Sequence, residues 1–346
     1  MKRIPSLDGL RAVSILLVLV GHWAGTHNYP IAMSYAFLGV RIFFVISGYL
    51  ITTLLLSERS RTGTIGLGEF YTRRAYRILP AASVYLAVML ITRQYEYTWY
   101  HAVMAVLYLA DFDPTRPMFF GHLWSLSVEE QFYLLWPGIL KKWYAYRVQI
   151  LLSVVAFGPF CQLALYALRY PGVVTHTFFA VADNLAVGCL LAIFVSRLPL
   201  VPKQFGVLFV MMIGLIPLVE GVSRTRTLII LFLLLPILYV AIAGLLLHVM
   251  QMPYRLLNLA PVVWLGKISY SLYLWQQIFV FNHRTRPWYF MLFAVGAATL
   301  SYYLVEKPML QVREKRAMRK SRSTGSRVSH HDNEPVVATT AKEWSR

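Results

Sequence analysis

The sequence predicts an all-α integral membrane protein, a bundle of about ten transmembrane helices with both termini on the cytoplasmic side. Three observations carry that reading. The 346 residues are 58% hydrophobic and only 14% charged, with a mean hydropathy of +0.56, whereas soluble domains carry about 25% charged residues. Apolar runs of roughly 17–25 residues, the length a helix needs to cross a bilayer, recur along the chain. Basic residues gather in alternate loops.

The spans read from the chain are 10–26, 37–56, 78–92, 122–140, 149–168, 177–195, 204–220, 227–248, 268–282 and 287–305, the third and ninth being short. Trp99 to Ala110 is apolar but brief, and fits a half-inserted or interfacial helix. Threading the ten spans with the N-terminus inside puts Lys2, Arg3, Arg59, Arg61, Arg73, Arg74, Arg77, Lys141, Lys142, Arg147, Arg197, Lys203, Arg255 and Lys267 on one side with the basic tail. The opposite loops hold Arg93, Arg116, Arg169, Arg224, Arg226, Arg284 and Arg286. This is the positive-inside bias. An eleventh span at Trp99 would invert every later loop and destroy it.

The net charge of +18 therefore reports topology, and no nucleic-acid partner is expected. The first span is too long for a cleaved signal peptide and is followed by no small-residue cleavage site, so it reads as retained. Cys161 and Cys189 fall inside spans without CxxC spacing, which points to packing rather than a disulfide or metal site. Residues 1–310 form the expected membrane domain. From Gln311 to residue 346 the chain is polar and rich in Lys, Arg and Ser, read as a disordered cytoplasmic tail able to touch anionic lipid. His330, His331 and Asp332 in that tail are not taken as a metal site; none is expected.

Four polar segments stand inside or beside the spans. An ionisable residue in a bilayer-length apolar run is a functional-site hypothesis by default. Arg11 opens the first span and His22 follows eleven residues later, about 16 Å along the same helix face. Arg11 also reads as a headgroup anchor, with Asp8 three residues before it; His22, just after Gly21, also reads as a hydrogen-bonded packing residue. In the second segment, around Arg41, Ser47 and Gly48 suit close helix approach. The third, Phe70 to Pro80, carries Arg73, Arg74 and Arg77 interleaved with tyrosines. They fit positive-inside anchoring and equally a phosphate site, since guanidinium groups bind phosphate bidentately and stack on aromatic or purine faces. The fourth runs from His122 to Pro137. On one helix His122, Ser125, Glu129, Phe132 and Trp136 share a face, which sets a carboxylate about 10 Å into the span. A buried glutamate needs a partner or a proton, and a helix-locking salt bridge would supply the first.

Together these segments resemble the acyltransferase 3 family of bacterial membrane O-acyltransferases. The matching pieces are LDGLRAVSILLVLVGH, GVRIFFVISGYLI, FYTRRAYRILP, HLWSLSVEEQFYLLWP, LGKISYSLYLW and SYYLVEKP, in the family's order, over residues 4 to about 310. The resemblance implies transfer of an acyl group, often acetyl, from acyl-CoA to a hydroxyl of a carbohydrate or lipid-linked glycan, at a bacterial inner (plasma) membrane. It suggests His22 as catalytic base and Arg11 as its companion. It points to Arg74 and Arg77, with Arg73 beside them, as donor-binding, and to Glu129 as part of the polar core. Chemically, a neutral imidazole can take the acceptor's hydroxyl proton, and Glu129 is expected to orient it as in triad-like sites.

Two departures from the family stand out. After YSLYLW the family often has a histidine and proline where this chain has Gln276 and Gln277, which puts any role of that histidine in doubt. No esterase-like domain follows the last span, so a stand-alone membrane enzyme is expected. The competing reading is a transporter or flippase of a glycan or small molecule, which would also bury Arg, His and Glu. The arginine cluster and the lack of inverted repeats weigh against it.

Overall fold

The structure, a computed structural model, describes residues 4–27, 29–92, 97–168, 177–222, 230–252, 254–280 and 287–318. Among these the chain is all-helical, with no strand. The helices are α1 (Pro5–Thr26), α2 (Pro30–Thr62), α3 (Leu67–Thr92), α4 (Trp99–Val106), the short α5 (Met118–Gly121), α6 (Leu123–Lys142), α7 (Arg147–Ala167), α8 (Phe178–Phe194), α9 (Lys203–Val222), α10 (Leu235–Gln251), α11 (Ala260–Val280) and α12 (Phe290–Ser301). A π turn, Ile230–Leu234, leads into α10, and a second, Tyr302–Glu306, follows α12.

Among the described residues six helical stretches are long and apolar enough to cross a bilayer: α1, α2, α3, α7, α8 with the turn that follows it, and α10 with its π turn. The other four spans read from the sequence fall on α6, α9, α11 and α12. Helix α4 has only eight residues, about 12 Å at 1.5 Å per residue, too short to cross. Trp99 and Val106 on it are exposed, as an interfacial element requires. Beyond the second π turn the helix continues through 307–318, past the point where the sequence suggested disorder. Gln, Val, Arg, Glu, Lys, Ala and Met in that stretch are all tolerated in a helix and mostly favour it. The rest of the tail, His330 to Asp332 included, lies outside the described residues.

Helix α2 is the spine, packed between α1 and α8. Two glycines permit that approach to α8: a Cβ on Gly48 would strike the Leu185 carbonyl, and one on Gly188 the Val45 carbonyl. Small residues at helix crossings are how membrane helices bring backbones together. Gly48→Ala is therefore expected to lose about 1–3 kcal/mol through overpacking, although alanine is the better helix former. A fall in the thermal midpoint of the detergent-solubilised protein checks it; an unchanged or raised midpoint would show that the backbones can part.

A polar cap connects α4 to α6 outside the spanning helices. Asp111 is fully buried there and accepts from Gln131 Nε2 at 2.7 Å and from the Phe178 amide at 3.0 Å. Arg116 donates to the carbonyls of Ala110, Asp113 and Gly121. Burial pushes the Asp111 carboxyl from its ordinary 3.8 up to about 6. An acid whose folded-state pKa is raised binds its proton more tightly when folded, so stability increases as pH falls through that value. Between pH 7 and 5 the gain is about 1 kcal/mol, seen as a higher thermal midpoint at pH 5. Asp111→Asn should flatten that slope; a slope unchanged in the variant would assign it to another group.

Candidate active site

Five helices and the helical stretch 307–318 surround a cavity of about 420 Å³. The first turns of α1 supply Asp8 and Arg11; α2 supplies Ser47; α3 supplies Arg73, Arg74 and Arg77. Helix α6 contributes Ser125, Glu129 and Tyr133, α11 contributes Ser269, Tyr270 and Tyr273, and Arg313 closes the lining. The periodicity of α3 explains the arginine cluster: positions 73, 74 and 77 lie on one side by three- and four-residue spacing.

The three arginines are held differently. Arg73 donates to Glu58 Oε2 at 3.0 Å and is 39% exposed. The Arg74 guanidinium lies 4.0 Å from the centre of the Tyr133 ring, a cation–π arrangement. Arg77 lies among the charges around Arg11 and Glu306. Arg11 itself is within electrostatic reach of three carboxylates, Asp8, Glu306 and Glu129. Glu306, in the second π turn, accepts from Ser271 Oγ at 3.1 Å. Single π turns of this kind are common at functional sites. Glu129 meets Ser47 and Tyr133, whose hydroxyls bond each other, and faces Arg74 and Arg11. Ser47 is thus a polar site residue, while Gly48 beside it does the packing that the sequence suggested for both.

His22 is not part of that lining. Its Nδ1 is 3.2 Å from Gln276 Oε1 on α11. An amide oxygen only accepts, so Nδ1–H is the donor and Nε2 is the basic nitrogen of the ring. His122, at the start of α6, lies within electrostatic reach of His22. Its ring packs against Tyr85 and Tyr273, 5.4 and 5.5 Å between centroids. The Tyr273 hydroxyl donates to the His122 carbonyl at 2.9 Å and bonds Ser125 Oγ at 2.5 Å. Tyr273 and Ser125 line the arginine cavity, so His22 connects to the cavity through His122.

The structure therefore brings Arg11, Glu129, Arg73, Arg74 and Arg77 to one cavity and sets His22 one level away. The orienting partner expected at His22 was Glu129; at Nδ1 it is Gln276 instead. The reason is depth: Glu129 is seven residues beyond His122 on α6, about 10 Å, which puts it level with Arg11. Gln276, Glu306, His122 and Arg313 escaped the sequence reading as site residues. The only signals for the first two were the departure after YSLYLW and the carboxylate in SYYLVEKP. Among the described residues no group of three or more His, Cys, Asp or Glu side chains is placed to hold a metal.

Comparison with known proteins decides the family. The model of the acyltransferase domain matches residues 4–306.

The chain belongs to the acyltransferase 3 family.

Among curated members, the peptidoglycan O-acetyltransferase OatA of Listeria monocytogenes is 30% identical over 315 residues, 80% of this chain and 49% of its own length. The O-acetyltransferase OatA of Staphylococcus aureus is 28% identical over 359 residues, 88% of this chain and 57% of its own. A putative O-acetyltransferase of Staphylococcus aureus strain COL is 39% identical over 163 residues, 40% of this chain and 25% of its own. The chain thus spans about half the length of these first relatives. No solved structure matches it. The six pieces that carried the acyltransferase 3 resemblance all lie within or at the edge of the matched span.

Proposed function

We propose that this acyltransferase 3 protein moves an acetyl group from acetyl-CoA to a hydroxyl of a cell-envelope glycan. The observation that carries the reading is the cavity in which Arg73, Arg74, Arg77 and Arg313 converge. Four guanidinium groups at the mouth of an apolar chamber suit the phosphates of CoA, and the pantetheine arm is slim enough to continue inward past Arg11 and Glu129. The OatA relatives' names support a glycan acceptor. Ten spans with both termini cytoplasmic would put the arginines on the side of a bacterial inner membrane where CoA is found.

One level beyond the cavity, past His122, His22 is the general base. Nε2 takes the acceptor's hydroxyl proton as that oxygen attacks the thioester carbonyl carbon. The carbon–sulfur bond then breaks, CoA leaves as the thiolate, and the imidazolium returns the proton to sulfur. Arg11 and Glu129 hold the charged throat between donor phosphates and His22.

The test uses membranes containing wild-type protein or Arg74→Ala/Arg77→Ala, matched for amount and incubated with radiolabelled acetyl-CoA. Label should reach the glycan fraction in the wild type, with the donor KM raised about tenfold or more in the variant, as loss of charged hydrogen bonds implies. Wild-type membranes that release and transfer no label, with longer acyl-CoAs equally inert, would overturn the reading. Glycan flux without acyl-CoA would favour the transporter.

A further inference from the structure

A second cavity, of about 260 Å³, lies between α2, α6, α7, α8 and α10. Its walls include Phe37, Arg41, Trp124, Gln162, Asn184 and Tyr239. Gln162, Asn184 and Tyr239 are each more than nine-tenths buried, and polar side chains at such depth need partners. Most have them. Asn184 Nδ2 donates to Asp183 Oδ1 at 2.8 Å, and Tyr239 donates to Asp183 Oδ2 at 2.7 Å. Gln162 Nε2 donates to the Ala180 carbonyl at 2.6 Å, and Arg41 faces Asp183 electrostatically.

Asn184 Oδ1 is the exception. It is buried with no hydrogen-bond partner among the described residues. The carboxylate at Nδ2 fixes which way the amide points, because only the nitrogen can donate to it. A buried carbonyl oxygen without a donor, on a residue that lines a cavity, calls for one. The same lining holds aromatic surface: Trp124, itself in contact with Phe37 and Phe44 at 6.3 and 6.0 Å between centroids. An acceptor oxygen, a guanidinium, a second amide and an aromatic wall suit a ring that carries hydroxyls on its edge and C–H groups on its face.

Val40 and Phe44 line this cavity and the arginine cavity alike. The two chambers are therefore separated by as little as two side chains. We infer that this second cavity binds one sugar ring of the acceptor glycan, its hydroxyl donating to Asn184 Oδ1. As an acceptor site it rests on the acetyl-transfer reading above; as a sugar site it rests on its own lining.

The test is equilibrium binding to the full-length chain in lipid nanodiscs, with two probes measured separately: soluble disaccharide fragments of peptidoglycan, and acetyl-CoA. Two variants are compared with wild type. Asn184→Leu removes the unpaired oxygen at similar volume, and Ser34→Phe adds a ring to the cavity wall without deleting a contact. Each should weaken fragment binding about tenfold or more, while acetyl-CoA binding stays as in wild type. Fragments that bind both variants as well as wild type, or that fail to bind wild type, overturn the sugar site. Loss of acetyl-CoA binding by the wild type, with fragments still bound, sinks the donor reading alone. If Asn184→Leu fails to fold, Ser34→Phe decides.

Discussion

His22→Ala is expected to reduce acetyl transfer by about 10³-fold, the middle of the range for a positioned general base, with little change in thermal midpoint. The tautomer of the ring is the reason. Gln276 Oε1 can only accept from Nδ1, so the ring is held as the Nδ1–H tautomer, in which Nε2 is the basic nitrogen. Gln276 is fully buried and cannot exchange this bond for one to bulk water. Its own Nε2 is buried with no hydrogen-bond partner among the described residues, which leaves the amide a donor for a bound substrate. Gln276→Leu should then keep the imidazole but release its tautomer. The expected result is about a tenfold loss in kcat with donor KM unchanged, since the donor's arginines lie elsewhere. Transfer of radiolabel from acetyl-CoA, measured across pH for both variants, checks the pair. A His22→Ala protein that keeps more than a tenth of wild-type transfer would remove the base from the scheme. A Gln276→Leu protein that matched wild type would show that the ring is oriented by something else.

What could be read from the chain follows the range of the physics involved. Arg11 and His22 announce themselves because an ionisable residue in an apolar run is costly wherever its partners lie. The arginines of α3 and the common face of His122, Ser125 and Glu129 follow from helical periodicity, which is local. The brevity of α4 is visible in its length alone. Partnerships across the bundle are different. His22 and Gln276 are separated by 254 positions, and Ser271 and Glu306 by 35; no period links them. The pairing of His22 with Glu129 failed for a related reason. Sharing a face settles direction but not depth, and depth depends on how far α6 is shifted along α1. The helix over 307–318 was hidden by its charge: a polar, basic run reads as tail, yet Arg316 reaches the Tyr76 hydroxyl and Arg313 reaches the cavity.

Arg11→Leu is expected to lower stability by about 1–3 kcal/mol, the penalty of leaving acceptors without their charged partner. Its surroundings explain why. Asp8, Glu129 and Glu306 all face this guanidinium, and Glu129 and Glu306 lie on helices far apart in sequence. Without Arg11 the three acids are left with Arg74 and Arg77, which are the groups proposed to hold the donor's phosphates. Adding Glu129→Gln removes one of the uncompensated charges, so Arg11→Leu/Glu129→Gln should regain part of the thermal midpoint. It should not regain acetyl transfer, because the throat between phosphates and His22 would then lack both of its charges. Arg11→Lys separates the two roles further. A single ammonium restores charge but not the planar fork that serves several carboxylates at once, so stability should largely return while transfer remains depressed. Thermal scanning and labelled-acetyl transfer on the three proteins decide between the alternatives. Transfer that recovers in step with stability would make Arg11 a structural pin only; stability that never falls in Arg11→Leu would mean that the carboxylates are satisfied by Arg77 and by Ser271, Ser47 and Tyr133 without it.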